Sequence, residues 1–564
     1  MATQDHKPKS KVEALSPADR LDYWQEIAKY LGREVRTVQR WEREKSLPVR
    51  RLSGDRDDNQ PRVFAYKSEI DAWVARQSGR TLSPEAPAPA PRDPSILRVA
   101  VLRLENSGGN PETEFLSDGV SDSLITRLSQ LSSLRIISRA SVLRYKGQAI
   151  DPSAVGRELE VDAVLAGRMV TRGNALSISL ELIDVRDNSV MWAGRYNRGI
   201  DDLVTVEDEI AQSVAEKLEV KLTGGSHTLL PKRSKQNPEA YRLYLKGRYY
   251  WNRRTGDAVK KGLDYFNQVI ELDPVYGLAY AGIADSYSMM VFNNMISPRD
   301  GLPKARAAAN RALTLDESLA EARSSEAFVK LFYDWDWAGA EREFHRTFEL
   351  DPDYPIARQW YAMELAALGR QEQAVRENRR GLEIDPLSLS INATSSLLLY
   401  FVRKYDQALE QGLATVEMDP NFFASHFVSG LALEQTGQLE KAIAEFRMSA
   451  NLSGRWPLFV AAYGHACAAA GDGEEARKVI AELRDTSVRK YVSSFAVAAV
   501  YAGSGDKDLT LDWLEKAHDE RAAWMIFLNV HPYFDFLRGE TRFQNLLRKI
   551  GLPKIAGTLR NYEK

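Results

Sequence analysis

Cysteine is almost missing from this chain, which has only Cys467 in 564 residues. That excludes a disulfide framework and fits a reducing compartment. Histidine is sparse too. His345, His426, His465, His518 and His531 are scattered, and His465 and Cys467, two apart, fall on different sides of a helix, so no metal site is expected. Long apolar runs are missing: residues 459–470 and 495–502 are too short or too interrupted to span a bilayer. Residues 1–11 are polar and basic without an apolar core, unlike a secretory signal. A cytoplasmic location without a membrane partner is therefore expected. Excess charge is lacking as well, since a formal net charge of -2 rules out a wholly basic nucleic-acid binder and confines any DNA affinity to a local module. Catalytic motifs do not assemble either. Gly108-Gly109 lacks the spacing and the following Lys-Ser/Thr of a phosphate loop, and there is no Gly-x-Ser-x-Gly elbow or kinase signature. No enzyme activity and no cofactor are expected.

What is present begins with residues 24–73. Trp24, Ile27, Ala28 and Leu31 recur at helical spacing, and Gly32 breaks the pattern where a tight turn needs a positive φ. A second helix follows, with Val35, Val38 and Trp41 inward and Arg33, Arg36, Thr37, Arg40 and Arg43 on the opposite side. Leu47-Pro48 ends it. Residues 49–52 and 62–65 pair as two strands around a polar loop, a wing carrying Arg51, Arg56 and Arg62, and Tyr66, Ile70, Trp73 and Val74 form a closing helix. A basic helix face is more often a plain solvated face, and Glu34, Glu42 and Glu44 dilute this one.

With Glu26-Ile27-Ala28-Lys29-Tyr30-Leu31-Gly32, Arg36-Thr37-Val38-Gln39-Arg40-Trp41-Glu42-Arg43 and Ala65-Tyr66 before Ile70-Asp71-Ala72-Trp73, residues 1–77 resemble the MerR and excisionase type of winged helix-turn-helix. The resemblance implies double-stranded DNA as partner. The second helix would enter the major groove, with Arg33, Arg36, Thr37, Gln39, Arg40 and Arg43 at base edges or phosphates and Arg51 and Arg62 on phosphate.

Residues 78–95, with Pro84, Pro87, Pro89, Pro91 and Pro94, read as a semi-stiff linker. Residues 96–222 then alternate strand and helix patterns: strands at 97–104, 134–138, 163–170, 176–185 and 190–196, helices at 115–131, 154–159 and 201–218, with turns at Gly173-Asn174 and Asp187-Asn188. This is an α/β domain. On Val99-Ala100-Val101-Leu102, Phe115-Leu116-Ser117-Asp118-Gly119, Leu134-Arg135-Ile136-Ile137-Ser138-Arg139 and Trp192-Ala193, it resembles the TolB-like amino-terminal domain of bacterial regulators. One departure is Arg103-Leu104, where that family commonly has Pro-Phe. Asp118, Asp122 and Glu207 could suggest metal or catalytic acids, but helix-start and solvated roles weigh more because no second set converges on them.

A polar joint at 223–236 leads to a repeat. Asp273-Pro274, Asp351-Pro352, Asp385-Pro386 and Asp419-Pro420 end apolar helices, the last three 34 residues apart. Small residues face each other within each unit, as in Ala284 with Ala305, Ala362 with Ala374, and Ser396 with Ala408, which lets two helices approach closely. Residues 237–520 thus read as about eight tetratricopeptide (TPR) hairpins whose groove would receive a protein or peptide partner; a spacer or self-association surface is the other reading. Residues 521–564 resemble the terminal segment of similar repeat proteins and would cap the last hairpin.

The expected architecture is therefore multidomain: a small winged helix-turn-helix, an α/β domain and an all-α tetratricopeptide superhelix. The expected function is a cytoplasmic DNA-binding transcriptional regulator, with dimerisation or clustering on DNA expected because one small module binds DNA weakly, a homodimer being one such form. A cyclase found in relatives with the other domains is not expected here, because the N-terminal slot holds the helix-turn-helix. The competing class is a protein-interaction scaffold without sequence-specific DNA binding.

Overall fold

The computed structural model describes residues 20–30, 38, 42, 47–51, 63–67, 70, 96–109, 113–129, 131, 133–137, 142, 151–223 and 237–553. The chain divides into two compact units, residues 1–93 and 94–564.

In the first unit, strand β1 (Arg20–Asp22) runs straight into helix α1 (Tyr23–Tyr30), and strands β2 (Arg50–Arg51) and β3 (Val63–Tyr66) follow. The sheet order is β1-β3-β2, all antiparallel, with Leu21 opposite Ala65 and Arg51 opposite Val63. Ile27, Ala28, Val38, Leu47, Val63, Ala65 and Ile70 are its core, with Leu21, Trp24 and Val49 packed against them. Strand β1 is not expected from the sequence, because a three-residue strand with one apolar side chain has no period to detect.

The second unit opens with a sheet ordered β6-β4-β7-β8-β9, with β5 paired to β7. Its members are β4 (Leu97–Val101), β5 (Glu105–Asn106), β6 (Leu134–Ile137), β7 (Ala163–Arg172), β8 (Ala175–Asp184) and β9 (Val190–Gly199). β6, β4 and β7 are parallel, and β8 and β9 close the sheet as antiparallel hairpins. Alternation along β4 sends Val99 and Val101 to one face and Ala100 to the other. The first face is covered by α2 (Glu114–Leu128) and α4 (Leu203–Thr223), the second by α3 (Pro152–Glu158). β4 ends at Val101, short of the expected 104, and Arg103 turns into the protein to meet α2.

Residues 238–519 form eight helical hairpins. The first is Pro238–Trp251 with Gly256–Leu272, the second Gly277–Phe292 with Pro298–Leu315, the third Ala320–Val329 with Trp337–Leu350, and the fourth Pro355–Ala367 with Gln371–Ile384. The fifth is Leu389–Phe401 with Tyr405–Met418, the sixth Phe423–Gln435 with Leu439–Leu452, the seventh Pro457–Ala469 with Gly473–Ser487, and the eighth Ser494–Gly503 with Lys507–Asp519. The recurring aspartate has a visible task. Asp351 and Asp419 accept, through Oδ1, the backbone N–H two residues on, at 3.1 and 2.8 Å, which fixes the turn between hairpins. Asp316 does the same at 2.9 Å without a following proline. Where small residues meet, Ser396 Oγ reaches the Ala408 carbonyl at 2.6 Å.

The α/β part and the first hairpin share one core: Ala240, Tyr241 and Leu245 belong to the same apolar cluster as Val99, Val120 and Ile210. Gly119 on α2 is where they approach, since a Cβ there would lie 2.8 Å from Leu245.

Candidate functional site

The residues expected from the sequence to contact DNA all belong to the N-terminal unit. Arg33, Arg36, Thr37, Gln39, Arg40, Arg43 and Arg62 lie outside the described residues, and Arg51 is placed by its backbone alone, in β2 opposite Val63. The described core of this unit includes Val38, fully buried, with Leu47 and Ile70.

In the α/β domain the acids have structural partners. Asp118 is buried and ion-paired with Arg103, which also bonds Glu114 at 2.5 Å. Glu207, fully buried, accepts hydrogen bonds at 2.5 Å from the hydroxyls of Ser123 and Tyr241, the latter on the first hairpin. A solvated role is thus corrected for both residues: they are buried anchors, one holding the strand end to α2 and the other holding the domain to the repeats. Among the described residues no group of three or more His, Cys, Asp or Glu is arranged to hold a metal ion.

The first helices of the hairpins form one continuous face, and it is filled by the chain itself. Two 3-10 turns, Ala523–Phe527 and Pro532–Leu537, lie along it. Trp524 stacks on Phe292 of the second hairpin, meets Phe427 of the sixth edge-on and donates its Nε1–H to the Phe292 carbonyl at 3.3 Å. Phe527 stacks on Phe401 of the fifth hairpin, and Phe534 meets Phe495 of the eighth. Polar groups are matched too. Tyr533 donates to Glu434 at 3.2 Å, and Arg403 pairs with Asp535 at 2.8 Å. An open groove, expected from the repeats, is therefore corrected: the face on which such a groove would lie is interior. The physical reason is the composition of residues 522–537, too aromatic to stop at the last hairpin. The expected cap is supplied by the next helix, Thr541–Ile550, where Arg542 holds Asp512 and Glu515 of the eighth hairpin at 2.7 and 2.8 Å.

Further contacts close the array. Trp337 of the third hairpin donates to the Ile550 carbonyl at 2.9 Å, Arg299 of the second to the Asp519 carbonyl at 2.6 Å, and a Cβ on Gly256 of the first would lie 2.9 Å from Trp456 before the seventh.

Displacing the segment would be costly. Trp524, Met525, Ile526, Phe527, Leu528, Phe534 and Leu537 are all buried. At about 1.5–3 kcal/mol per large apolar side chain, their burial is worth on the order of 10–20 kcal/mol, as an upper estimate. A micromolar peptide supplies roughly 8 kcal/mol and does not expel it.

Burial shifts several titratable groups within this body, Glu364 and His531 among them. Glu364 of the fourth hairpin is fully buried without a hydrogen-bond partner among the described residues, and desolvation, reinforced by Glu341, raises its pKa to about 9. His531, buried beside the rings of Tyr400 and Phe401, is held neutral by desolvation, reinforced by the nearby guanidinium of Arg403. Its Nδ1 accepts the Tyr533 N–H at 3.3 Å, which requires the unprotonated ring nitrogen.

Residues 99–213 match the family described as HilA/YgeH-like transcriptional regulator, second domain. Over 254 residues the chain is 32% identical to a protein of Rhizobium meliloti (strain 1021) named putative adenylate cyclase 3. That match takes in 44% of this chain and 43% of the relative, so the chain spans less than half the length of that curated protein. Among solved structures, YrrB, a TPR protein with an unusual peptide-binding site, is 20% identical over 34% of this chain and 92% of its own, with a TM-score of 0.23. The APC/C hetero-tetramer Cut9-Hcn1 is 15% identical over 62% of this chain and 63% of its own, with a TM-score of 0.38. The chain thus joins a domain similar to that of transcriptional regulators to an array of TPR-like helical hairpins.

Proposed function

We propose that this protein is a cytoplasmic transcriptional regulator that binds DNA through its N-terminal unit. One observation carries the reading: a segment similar to a transcriptional-regulator domain, residues 99–213, follows a small unit whose sequence resembles a MerR-type winged helix-turn-helix. Arg36, Thr37, Gln39 and Arg40 read base edges or phosphates, Arg33 and Arg43 flank them, and Arg51 and Arg62 sit on phosphate. The TolB-like domain and the repeats act as one receiving body, because Glu207 and Gly119 tie them together. A protein partner meets the outer surface of that body, since its inner face is filled. One small module makes a small DNA interface, so the regulator works as a homodimer. It acts by binding and not by turnover; the cyclase name belongs to a relative matched over 43% of its length.

Selection of random duplex DNA by the full chain tests this. Enrichment of one motif, lost with Arg40→Gln, supports the reading; absence of any enrichment at low salt overturns it in favour of a protein-interaction scaffold.

A further inference from the structure

Strand β9 is one edge of the six-stranded sheet, and it is ten residues long where β6 at the opposite edge has four. An open edge of that length is a template for another strand, and β9 contains neither the proline nor the lysine that commonly blocks one. Its register shift lies before Trp192, so residues 192–199 pair regularly with β8. The direction of the free backbone groups follows from one bond. Ile200 N–H donates to the Asn174 carbonyl at 2.9 Å, and counting back along the register turns the backbone of Tyr196, Gly194 and Trp192 towards β8. The N–H and C=O of Ala193, Arg195 and Asn197 therefore point outwards, with no partner among the described residues.

Side chains alternate in the same way. Trp192 and Tyr196 are half-buried on the helix-covered face, and both lean over Gly194, where a Cβ would lie 2.5 Å from the first ring and 3.0 Å from the second. On the other face Ala193 is opposite Glu181 of β8, and Arg195 is opposite Ser179. Glu181 and Arg195 are exposed and in no ion pair with any described residue, whereas Arg198 lies 3.9 Å from Glu209 of α4.

These features suit a second copy of the same edge. Outward groups on odd-numbered residues restrict antiparallel self-pairing to registers that set odd residues against odd ones, and two such registers share the longest overlap. One sets Arg195 directly against the partner's Arg195, a destabilising pair of like charges. The other places Gly194 on a twofold axis, facing the partner's Gly194, with Trp192 opposite the partner's Tyr196. Arg195 then faces the partner's Ala193, and in line beyond that small residue stands the partner's Glu181. The two charged residues are two strand spacings apart, about 10 Å between backbones, which extended side chains bridge.

We propose that β9 is a homodimer interface, in which two copies pair their edges antiparallel about Gly194 and each Arg195 reaches across the partner's Ala193 to the partner's Glu181. The two sheets become one continuous sheet. This gives a surface to the homodimer of the reading above and rests on that reading.

The test measures the mass of the full chain by sedimentation equilibrium for wild type, Ala193→Pro, Arg195→Glu, and Arg195→Glu combined with Glu181→Arg. Ala193→Pro removes an N–H that β8 does not use, a change that edge strands tolerate. The expected result is a wild-type dimer, weakened at least about tenfold by Ala193→Pro and by Arg195→Glu and restored by the charge exchange. Thermal melts check folding, and the charge variants, which leave the backbone intact, decide the matter if Ala193→Pro does not fold. A dimer that no variant weakens would overturn this interface and leave the homodimer standing. Weakening by Arg195→Glu without restoration by the exchange would overturn the register. A monomeric wild type whose Ala193, Arg195 and Asn197 amides exchange rapidly with solvent hydrogen would overturn both interface and homodimer. A monomer in which those amides exchange slowly would overturn the second copy in favour of an extended segment of the same chain.

Discussion

The rings of His465 and Tyr533 lie nearly parallel, 14° apart with centroids separated by 3.4 Å, and both side chains address Glu434, His465 Nε2 at 2.7 Å and the Tyr533 hydroxyl at 3.2 Å. His465 belongs to the seventh hairpin, Glu434 to the sixth and Tyr533 to the segment on their common face. One carboxylate thus fastens three parts of the chain. Tyr533→Phe keeps the stack and leaves a buried oxygen without its donor, so it should cost about 1–3 kcal/mol in urea unfolding. Trp524→Ala, which empties a buried space, should cost about 3–5 kcal/mol. Full stability in both variants would show that the segment is not seated on this face.

Glu364 makes stability depend on alkali. Its folded pKa of about 9 lies above the ordinary value of 4.5, so between these values the folded chain holds a proton that the unfolded chain has released. Stability therefore falls as pH rises through that window, by at most about 1.4 kcal/mol per pH unit. Glu364→Gln keeps the shape without the charge and should be the more stable protein at pH 8, with a flatter pH profile in thermal melts. A wild-type profile unchanged by the substitution would rule out burial of this carboxyl.

His531 acts at the acid end, with the opposite sign. It is neutral when folded, its pKa being held well below the ordinary histidine value of 6.5. Below about pH 6.5 the unfolded chain takes up a proton that the folded chain refuses, and stability is lost as pH falls. His531→Asn should flatten this acid limb, even where it lowers stability at neutral pH. The slope of unfolding free energy against pH, from about 5 to about 7, is the quantity to compare.

Arg103 holds two acids, Asp118 and Glu114, at the end of β4. Arg103→Ala removes the guanidinium that faces the buried Asp118 and should destabilise the second unit by about 3–5 kcal/mol. Adding Asp118→Asn should recover part of that loss. No recovery would mean that the arginine works through packing of its stem.

Much of this architecture is legible in the sequence because it repeats or alternates. The 34-residue spacing of Asp351, Asp385 and Asp419 coincides with the turns between hairpins, and the alternation of Val99, Ala100 and Val101 coincides with the two faces of the sheet. Residues 522–537 have neither period. Their partners, Phe292, Phe401 and Phe427, are far away in the chain, and short 3-10 turns leave no helical stripe. The signal that could place them is their aromatic density: Trp524, Phe527, Tyr533, Phe534 and Phe536 are too many to leave in water at a chain's edge. Glu364 is hidden for the opposite reason, since a glutamate on a helix reads as a solvent-facing residue. The Arg103 departure is visible in the sequence, but its partners on α2 require the fold. The arginines proposed to contact DNA rest on the sequence resemblance alone.

Because residues 522–537 come after all eight hairpins, a ribosome releases the array before it releases the piece that fills it. During synthesis the rings of Phe292, Phe401, Phe427 and Phe495 wait for partners not yet made. Any message cut short before residue 522 yields an array with a sticky inner wall, a natural substrate for chaperones and proteases. The inner wall of the array is thus completed only once residues 522–537 have been made.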